Sequence, residues 1–391
     1  MRILSLLVVA TLVRHLDAGA QVQPSRLRAV VDLRIDKTLP AASRSVAVAV
    51  GPVGEMIIVQ TQSAGSVRGF DSTGRELPWT IPIGNNRDGD LRWISRAGWS
   101  GNTLWLADPG FSQLALIDRA GKITKSLEYP AWVRPAWADR RKYPVFAGIE
   151  PFALYPDGSW LVRPSRERSV VSTPEYDKTH SYLMRISENG SVQRVVARLP
   201  RDDIRMAFRF ANTPISSPLV IPPLTMWDVS PDGARVVVVA TSLSGADSAS
   251  YRVTALGALG DTIYSRRIPF APVPMTKATI DSIRTRFERA GTGRQANDAR
   301  DAAMKNLPWA YPPIENVVAG RDQTTWIELR GTAAERTWLV LDSSGASLGI
   351  VAFSKEFVLR VAERGRAWGF DRDGDRVVAL VRYRVGLAEK R

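Results

Sequence analysis

The chain has 391 residues, contains no cysteine and carries a formal net charge of +14 at pH 7. The absence of cysteine excludes disulfides, zinc sites built on thiolates and thiol catalysis. The basic balance favours anionic partners, although Lys and Arg are scattered along the sequence, which is typical of a solvated surface.

The first predicted element is a secretory signal peptide over residues 1–20. A basic start is followed by an apolar core that is too short to span a membrane, and Ala18–Ala20 offers a small-residue cleavage site. Arg14 and Asp17, between the core and this site, leave an uncleaved anchor as the alternative. We therefore expect an exported protein, periplasmic or extracellular, with a single domain over residues 21–391.

A pattern of a tight turn leading into a strand repeats along the rest of the chain. Its six copies have their turns at Gly54, Gly101, Pro156, Pro231, Arg321 and Arg364. Apolar runs such as Leu104–Ala107 are too short for helices and are bounded by Gly, Asp, Asn or Pro, as strands are. Each copy reads as four strands, which bury their faces only against neighbouring copies. The pattern predicts an all-β fold, a six-bladed β-propeller; one large β-sandwich or two smaller β domains are the alternatives.

The last copy supplies only three strands and ends with Val377–Arg384. We expect the N-terminal segment Leu27–Ile35 to supply the fourth strand and close the ring, because closure removes free sheet edges. One helical insertion, Met275–Leu307, is predicted between blades four and five, since Ile280 and Ile283 begin an apolar series at helical spacing.

The second copy, Ile83–Glu128, resembles the NHL and TolB-like six-bladed propellers. The resemblance rests on three segments. Asp88–Trp93 lies where these repeats carry a Gly-rich turn before the inner strand, Leu104–Asp108 matches their second strand, and Leu114–Gly121 matches their third strand with its hairpin. Members of this group range from scaffolds to hydrolases, so the resemblance does not choose an activity. The lactonase and esterase propellers usually hold a calcium ion in the central channel.

Every long insertion is predicted on one face of the propeller. The loops that join strands one to two and three to four are tight, whereas the long ones join strands two to three or successive blades. The long insertions cover residues 129–147, 163–179, 200–223, 241–250 and 269–313. Because functional residues concentrate on loops held by a rigid scaffold, we expect the site on this face.

One insertion, Pro130–Tyr143, interleaves Trp132 and Trp137 with Arg140 and Arg141. Such a composition can bind sugars, lipid head groups or acidic peptides by stacking and ion pairing. The same tryptophans can instead pack on the sheet while the arginines face water.

Alignment of the copies on the tight turn places Glu150 and Glu315 at the same repeat position, early in the innermost strand and near the mouth of the channel. The corresponding residues of the other copies are Val46, Trp93, Thr225 and Phe357. Two carboxylates there can bind a divalent cation, or a cationic or hydroxyl-rich ligand. They can equally pair with the nearby Arg92 and Arg96.

Two further motifs are weaker indications of function. Asp371–Asp375 has the alternating carboxylates of a calcium loop but lacks Gly at the sixth position and Glu at the twelfth, so a hairpin turn is expected. His180 is the single histidine beyond the signal, and no Gly-x-Ser-x-Gly sequence accompanies it.

These features predict an exported binding module that presents its insertion-rich face to a protein, a peptide or an anionic glycan, without catalysis. We expect a monomer with no cofactor, no nucleic-acid partner and no membrane span. The alternative is a Ca2+-assisted hydrolase or lyase with its site at the channel mouth, where Glu150 and Glu315 would hold the ion. The candidate ligand-binding residues are Trp93, Glu150, Thr225, Glu315, Phe357, Trp132, Trp137, Arg140 and Arg141.

Overall fold

A computed structural model describes most of the chain after Pro24. The described residues are 25–36, 46–60, 65–84, 91–130, 149–164, 180–200, 205–210, 213–218, 224–245, 248–290, 297, 300–301, 304–305, 307–331, 334–374 and 376–387.

The described part of the chain consists mainly of antiparallel strands that follow one another in sequence. The N-terminal strand is β1 (Arg26–Asp36). The first four-stranded sheet contains β2 (Val46–Val50), β3 (Met56–Gln60), β4 (Ser66–Phe70) and β5 (Glu76–Pro82). The second contains β6 (Arg96–Ser100), β7 (Thr103–Asp108), β8 (Gln113–Ile117) and β9 (Ile123–Glu128). The third contains β10 (Ile149–Leu154), β11 (Trp160–Pro164), β12 (His180–Ile186) and β13 (Val192–Pro200).

A separate hairpin, β14 (Arg205–Phe210) and β15 (Thr213–Pro218), lies in an insertion for which the sequence predicted no strands. The fourth four-stranded sheet contains β16 (Thr225–Val229), β17 (Arg235–Ser242), β18 (Ser250–Gly257) and β19 (Thr262–Pro269). The helix α1 (Lys277–Ala290) follows. The remaining strands are β20 (Ile314–Ala319), β21 (Thr325–Leu329), β22 (Glu335–Leu341), β23 (Ser347–Ser354), β24 (Phe357–Glu363), β25 (Arg366–Asp373) and β26 (Arg376–Leu387).

These last strands and β1 form one eight-stranded sheet, in the order β20-β21-β22-β23-β1-β26-β25-β24. β1 runs antiparallel to β26, with Leu27 opposite Leu387, which agrees with the expected position of the N-terminal strand. It also makes a short parallel pairing with β23, with Leu27 opposite Val351, that the sequence did not indicate. β1 therefore shields the edges of both neighbours from pairing with other chains.

The sheets are arranged around a common centre as in a β-propeller. The first strand of each sheet lies beside that of the next, so β6 neighbours β2 and β10, and β20 neighbours β16 and β24. β24 in turn lies beside β2, which brings the end of the chain next to its beginning. Between β10 and β16, the rings of Phe152 and Trp227 are 5.0 Å apart.

The core lies between successive sheets. Val59 and Ile81 of the first sheet pack with Leu104 and Ala115 of the second in one hydrophobic cluster. Across the junction between the last and first strands, Trp368 and Phe370 pack with Met56 and Phe70. The tryptophans that marked the second strand of several copies are fully buried: Trp105, Trp160, Trp326 and Trp368. Burial of such large apolar surfaces between sheets is what holds the ring together.

Turn chemistry explains why the strands end where they do. The Asp71 carboxylate accepts hydrogen bonds from the backbone N–H groups of Thr73 and Arg75, at 2.9 and 3.0 Å. Gly74 adopts a φ of 89°, which glycine reaches without the strain that other residues incur. Asp118 closes the next hairpin with the same contacts to Ala120 and Lys122. These Asp-x-x-Gly turns join third strands to fourth strands, as the sequence pattern predicts.

In the second half of the predicted segment, the described residues Asn297, Arg300, Asp301, Met304 and Lys305 are helical, and in the first half α1 spans Lys277–Ala290. Thr276 caps it, since its hydroxyl accepts a hydrogen bond from the Thr279 N–H at 3.2 Å, and Ile283 packs its side chain into the protein with 6% exposure. Most residues between Ala290 and Leu307 lie outside the described ranges. Within those ranges, no helix is long and apolar enough to cross a membrane.

Candidate functional site: the central cavity

A cavity of about 450 Å³ lies at the centre of the ring, where the first strands of the sheets meet. Residues of β2, β20 and β24 form part of its wall. Its principal polar and aromatic lining residues are Arg96, Glu150, Trp227, Asp228, Asn316 and Arg360. The volume falls within the range of small-molecule sites, ~300–1,000 Å³.

Glu150 is held between two arginines. Arg163 stands directly opposite it on β11, and its Nη2 bonds Glu150 Oε2. Arg96, from the neighbouring sheet, donates from Nε to Glu150 Oε1 at 2.9 Å. Burial on its own raises the pKa of Glu150, but the two guanidinium groups outweigh it, so the net shift of the pKa is downward. The carboxylate is therefore ionised and committed to both arginines.

Aromatic rings support these arginines. Phe152 is the extra residue of a β-bulge in β10, between Pro151 and Ala153, and the Arg96 guanidinium lies 3.8 Å from its ring centre. The Arg163 guanidinium lies 5.2 Å from the ring of Trp227. Bulges re-aim side chains in strands, and here the bulge brings an aromatic face under a cation, an attractive arrangement.

Asp228 is the second carboxylate of the cavity. Its Oδ2 accepts a hydrogen bond from the Ala319 N–H at 2.9 Å, which links β16 to β20. Burial raises its pKa, against the opposing effects of backbone hydrogen bonds from Ala319 and Val229 and of the charges on Arg96 and Arg360. The surroundings thus lower the pKa of one carboxylate of the cavity and raise the pKa of the other.

Arg360 faces this second carboxylate from β24. It is the extra residue of another β-bulge, between Leu359 and Val361, and its guanidinium lies 5.2 Å from the ring of Phe370. Within the described part of the chain it makes no hydrogen bond and no ion pair within 4.0 Å. Its side chain is exposed. Partial desolvation by the surrounding strands and the positive charge of Arg372 lower its pKa, while Asp228 opposes them.

The two glutamates of the repeat position are not equivalent in space. Glu150 lines the cavity. In β20, the strand that carries Glu315, the following residue Asn316 lines it instead. Glu315 is the bulged residue of β20, its side chain is 39% exposed, and its nearest cation is Arg330 at 3.5 Å. Its charge acts on Glu328, whose pKa is raised by burial and, to a smaller extent, by Glu315.

The other predicted positions lie at the rim or in the core. Trp93 precedes β6, is 52% exposed, and its backbone N–H donates to Asp108 at 3.2 Å. Thr225 begins β16 and is buried. The structure places Phe357 in the core instead of at the channel mouth, because it is fully buried with ring centres of Phe353 and Tyr383 at 5.0 and 4.8 Å.

The four predicted residues of the Trp- and Arg-rich insertion lie outside the described residues: Trp132, Trp137, Arg140 and Arg141. His180 is the first residue of β12. The hairpin expected at Asp371–Asp375 is present, with Asp373 paired to Arg376 across Gly374. The Asp371 carboxylate is bonded to Arg34 of β1.

Counting along the sequence missed Asp228 and Arg360. β10, β20 and β24 each carry a bulge after their start, whereas β2, β6 and β16 pair without one. Positions at equal distance from the turn therefore point in different directions. A usable signal was present, since each of these residues is a charge within an otherwise apolar inner strand: Thr225–Val229 and Phe357–Glu363.

The cavity does not fit a calcium ion. Ca2+ takes 6–8 oxygen ligands, several of them carboxylates. Here Glu150 is bound to two guanidinium groups, Asp228 Oδ2 accepts the Ala319 N–H, and Glu315 does not line the cavity. Within the described ranges there is no group of three or more His, Cys, Asp or Glu side chains arranged for a metal.

No protein-family model and no curated protein sequence matches the chain. Among solved structures, a member of the DUF4221 family from Bacteroides vulgatus is similar, with a TM-score of 0.51 and 12% identity over 94% of this chain and 100% of that chain. A streptogramin B lyase matches with a TM-score of 0.41 and 9% identity, covering 93% of this chain and 98% of that one. Regucalcin from Agrobacterium tumefaciens, described as a calcium-binding protein, has a TM-score of 0.37 and 10% identity, covering 89% and 94%. At such identities the likeness concerns the fold alone.

Proposed function

We propose that the chain is an exported β-propeller that binds a ligand or partner and does not catalyse a reaction. The observation that carries the proposal is the state of Glu150. A carboxylate bridged by Arg96 and Arg163, with a lowered pKa, is a poor general base and a poor metal ligand. The same ion pairs make a rigid, charged wall for a binding cavity.

The proposed fold has six blades. The eight-stranded sheet divides into two antiparallel meanders, β20–β23 and β24–β26 with β1, each of the same four-strand size as the other sheets. In this description β1 completes the last blade, and its parallel contact with β23 joins blades five and six. We retain the NHL and TolB-like propellers as the proposed relatives, on the second-blade motifs alone.

Export and partner choice are further parts of the proposal. Residues 1–20 have the composition of a signal peptide, so the mature protein would consist of residues 21–391 and work outside the cytoplasm. The proposed partner is a protein, a peptide or an anionic glycan, since the net charge is +14 and nucleic acid is scarce in that location. Exposed Trp93 at the start of the second blade would belong to the contact surface. We propose a monomer without cofactor.

Metal dependence tests the absence of catalysis. The purified protein is analysed for bound metal, and thermal unfolding is recorded with calcium and with EDTA. We expect the same melting temperature in both, and no stoichiometric divalent ion. A bound calcium ion that EDTA removes, and that Glu150→Gln also loses, would overturn the proposal in favour of the metal-assisted hydrolase or lyase.

A further inference from the structure

We infer that the central cavity binds a small organic anion, with its carboxylate or phosphate group held by Arg360. This inference rests on the proposed binding function and names the chemical class of the ligand. Two independent features carry it: the position of Arg360 in the fold and the uneven distribution of charge around it.

Arg360 differs from the other arginines near the centre in its partners. Other arginines near the centre have carboxylate partners: Arg96 and Arg163 bind Glu150, and Arg336 binds Glu328 at 3.0 Å. Arg360 has none within the described residues, although it lines the cavity. Its side chain is exposed, so its donors are accessible to an anion that enters the cavity.

The bulge in β24 determines where this side chain points. The flanking Leu359 and Val361 are buried and pair with Gly369 and Trp368, whereas Arg360 lies between them without a partner in the ladder. Extra residues of this kind are over-represented beside functional sites because they turn a side chain away from the regular alternation. In β24 the bulge delivers a cation into the cavity.

The charge around Arg360 is predominantly positive. The charged groups that act on it are three cations, Arg372, Arg96 and Arg336, and one carboxylate, Asp228. The Nε of Arg372 is itself buried without a hydrogen-bond partner. Three cations and one carboxylate thus act on Arg360, and an anionic group entering here would relieve the imbalance.

The size and lining of the cavity define the rest of the ligand. Arginine presents a planar fork of donors that matches a carboxylate or a phosphate in two parallel hydrogen bonds. Trp227 also lines the space, so a small aromatic ring fits beside the anionic group. A volume of about 450 Å³ suits a small molecule rather than a folded partner.

Three matched probes test this chemistry: benzoate, phenyl phosphate and the neutral isostere benzamide. Binding to the full chain is measured by calorimetry and by the shift in melting temperature at millimolar concentrations. We expect benzoate or phenyl phosphate to bind and to raise the melting temperature, as a ligand specific for the native state must, and benzamide to have no effect. The anion that binds with the higher affinity identifies carboxylate or phosphate as the preferred group. Failure of both anions to bind, or equal binding of benzamide, would overturn the inference.

Two variants locate the binding. Arg360→Gln should weaken the anion at least ~10-fold, because the charged fork is lost. Arg384→Gln removes an exposed arginine of β26 in the same part of the sheet and should leave affinity unchanged. Equal loss in both variants, or none in Arg360→Gln, would contradict the assignment.

A stability measurement separates a ligand-binding role from a structural one. Without ligand, Arg360→Gln should melt at the same temperature as the wild type or higher, because the variant no longer opposes Arg372, Arg96 and Arg336. A clearly lower melting temperature would show that Arg360 holds the fold and would overturn the inference. If no anion binds and EDTA leaves the melting temperature unchanged, the inference about Arg360 fails but the proposed function does not. The failure of the inference can therefore be distinguished from the failure of the proposed function.

Discussion

The substitution Glu150→Gln removes the negative charge that joins Arg96 and Arg163 and leaves the shape of the side chain nearly unchanged. In the native protein Arg96 Nε is 2.9 Å from Glu150 Oε1, and Arg163 bonds the other oxygen. After the substitution two guanidinium groups remain near the rings of Phe152 and Trp227 without a counter-charge. We therefore expect a loss of stability.

The magnitude follows from the exposure of the three side chains. Hydrogen bonds to charged groups contribute ~1.5–3 kcal/mol when buried, and exposed ion pairs ~0.2–1 kcal/mol. Glu150 is 27% exposed, and Arg96 and Arg163 are 38% and 37% exposed. Each contact therefore contributes about 1 kcal/mol, and the loss of both costs about 2 kcal/mol. With an unfolding entropy of ~2.1 cal/mol/K per residue, the melting temperature of a domain of this length falls by about 3 °C.

Urea denaturation followed by circular dichroism measures the free energy of unfolding, and Glu315→Gln is the matched control. Glu315 is 39% exposed and 3.5 Å from Arg330, so its substitution should cost less than ~0.5 kcal/mol. Equal effects of the two substitutions, or a stabilising effect of Glu150→Gln, would show that the bridge of Arg96, Glu150 and Arg163 does not stabilise the fold.

Three further changes give distinct outcomes. Asp228→Asn should raise the melting temperature at neutral pH, because burial raises the pKa of Asp228 and the wild type loses stability as pH rises through that pKa. Melting temperatures measured across pH should show this difference vanishing below roughly pH 4. A variant that is less stable than the wild type at neutral pH would contradict the prediction. Arg235→Met should cost about 2–3 kcal/mol in urea denaturation, since Arg235 is 2% exposed and donates to the carbonyls of Gln323 and Ser343, and an unchanged value would contradict this. Gly349→Ala should speed the exchange of backbone amide hydrogens in β1, because a Cβ at position 349 would lie 2.4 Å from the Ser25 carbonyl oxygen, which accepts the Ile350 N–H. Gly386→Ala, which has open space around it, is the control.

The sequence predicted the sheets well because their signals are local. Turns of the Asp-x-x-Gly type lie at the expected strand boundaries, as do the tight turns that lead into Trp or β-branched residues; Gly74 and Trp105 illustrate the two. The pairing of β1 with β26 followed from a physical requirement, the protection of a free edge. The hairpin of β14 and β15 and the parallel contact of β1 with β23 had no such signal, because both depend on tertiary surroundings.

The site was predicted less well than the fold. Glu150 was found, and its pairing with Arg96 was one of the alternatives, but Arg163 becomes its partner only through the register of β10 and β11. Phe357 was chosen by counting from the turn, whereas the bulge after Leu359 directs Arg360 into the cavity. A bulge changes which face a residue occupies without changing its position in the sequence, so counting could not find it.

A crystal structure of the protein grown or soaked with benzoate decides between an anion site and a metal site. We expect the benzoate carboxylate to be bound to Arg360 in the central cavity, with Glu150 still bridging Arg96 and Arg163. A divalent ion bound to Glu150, with Arg96 and Arg163 turned away from it, would show instead that the cavity is a metal site.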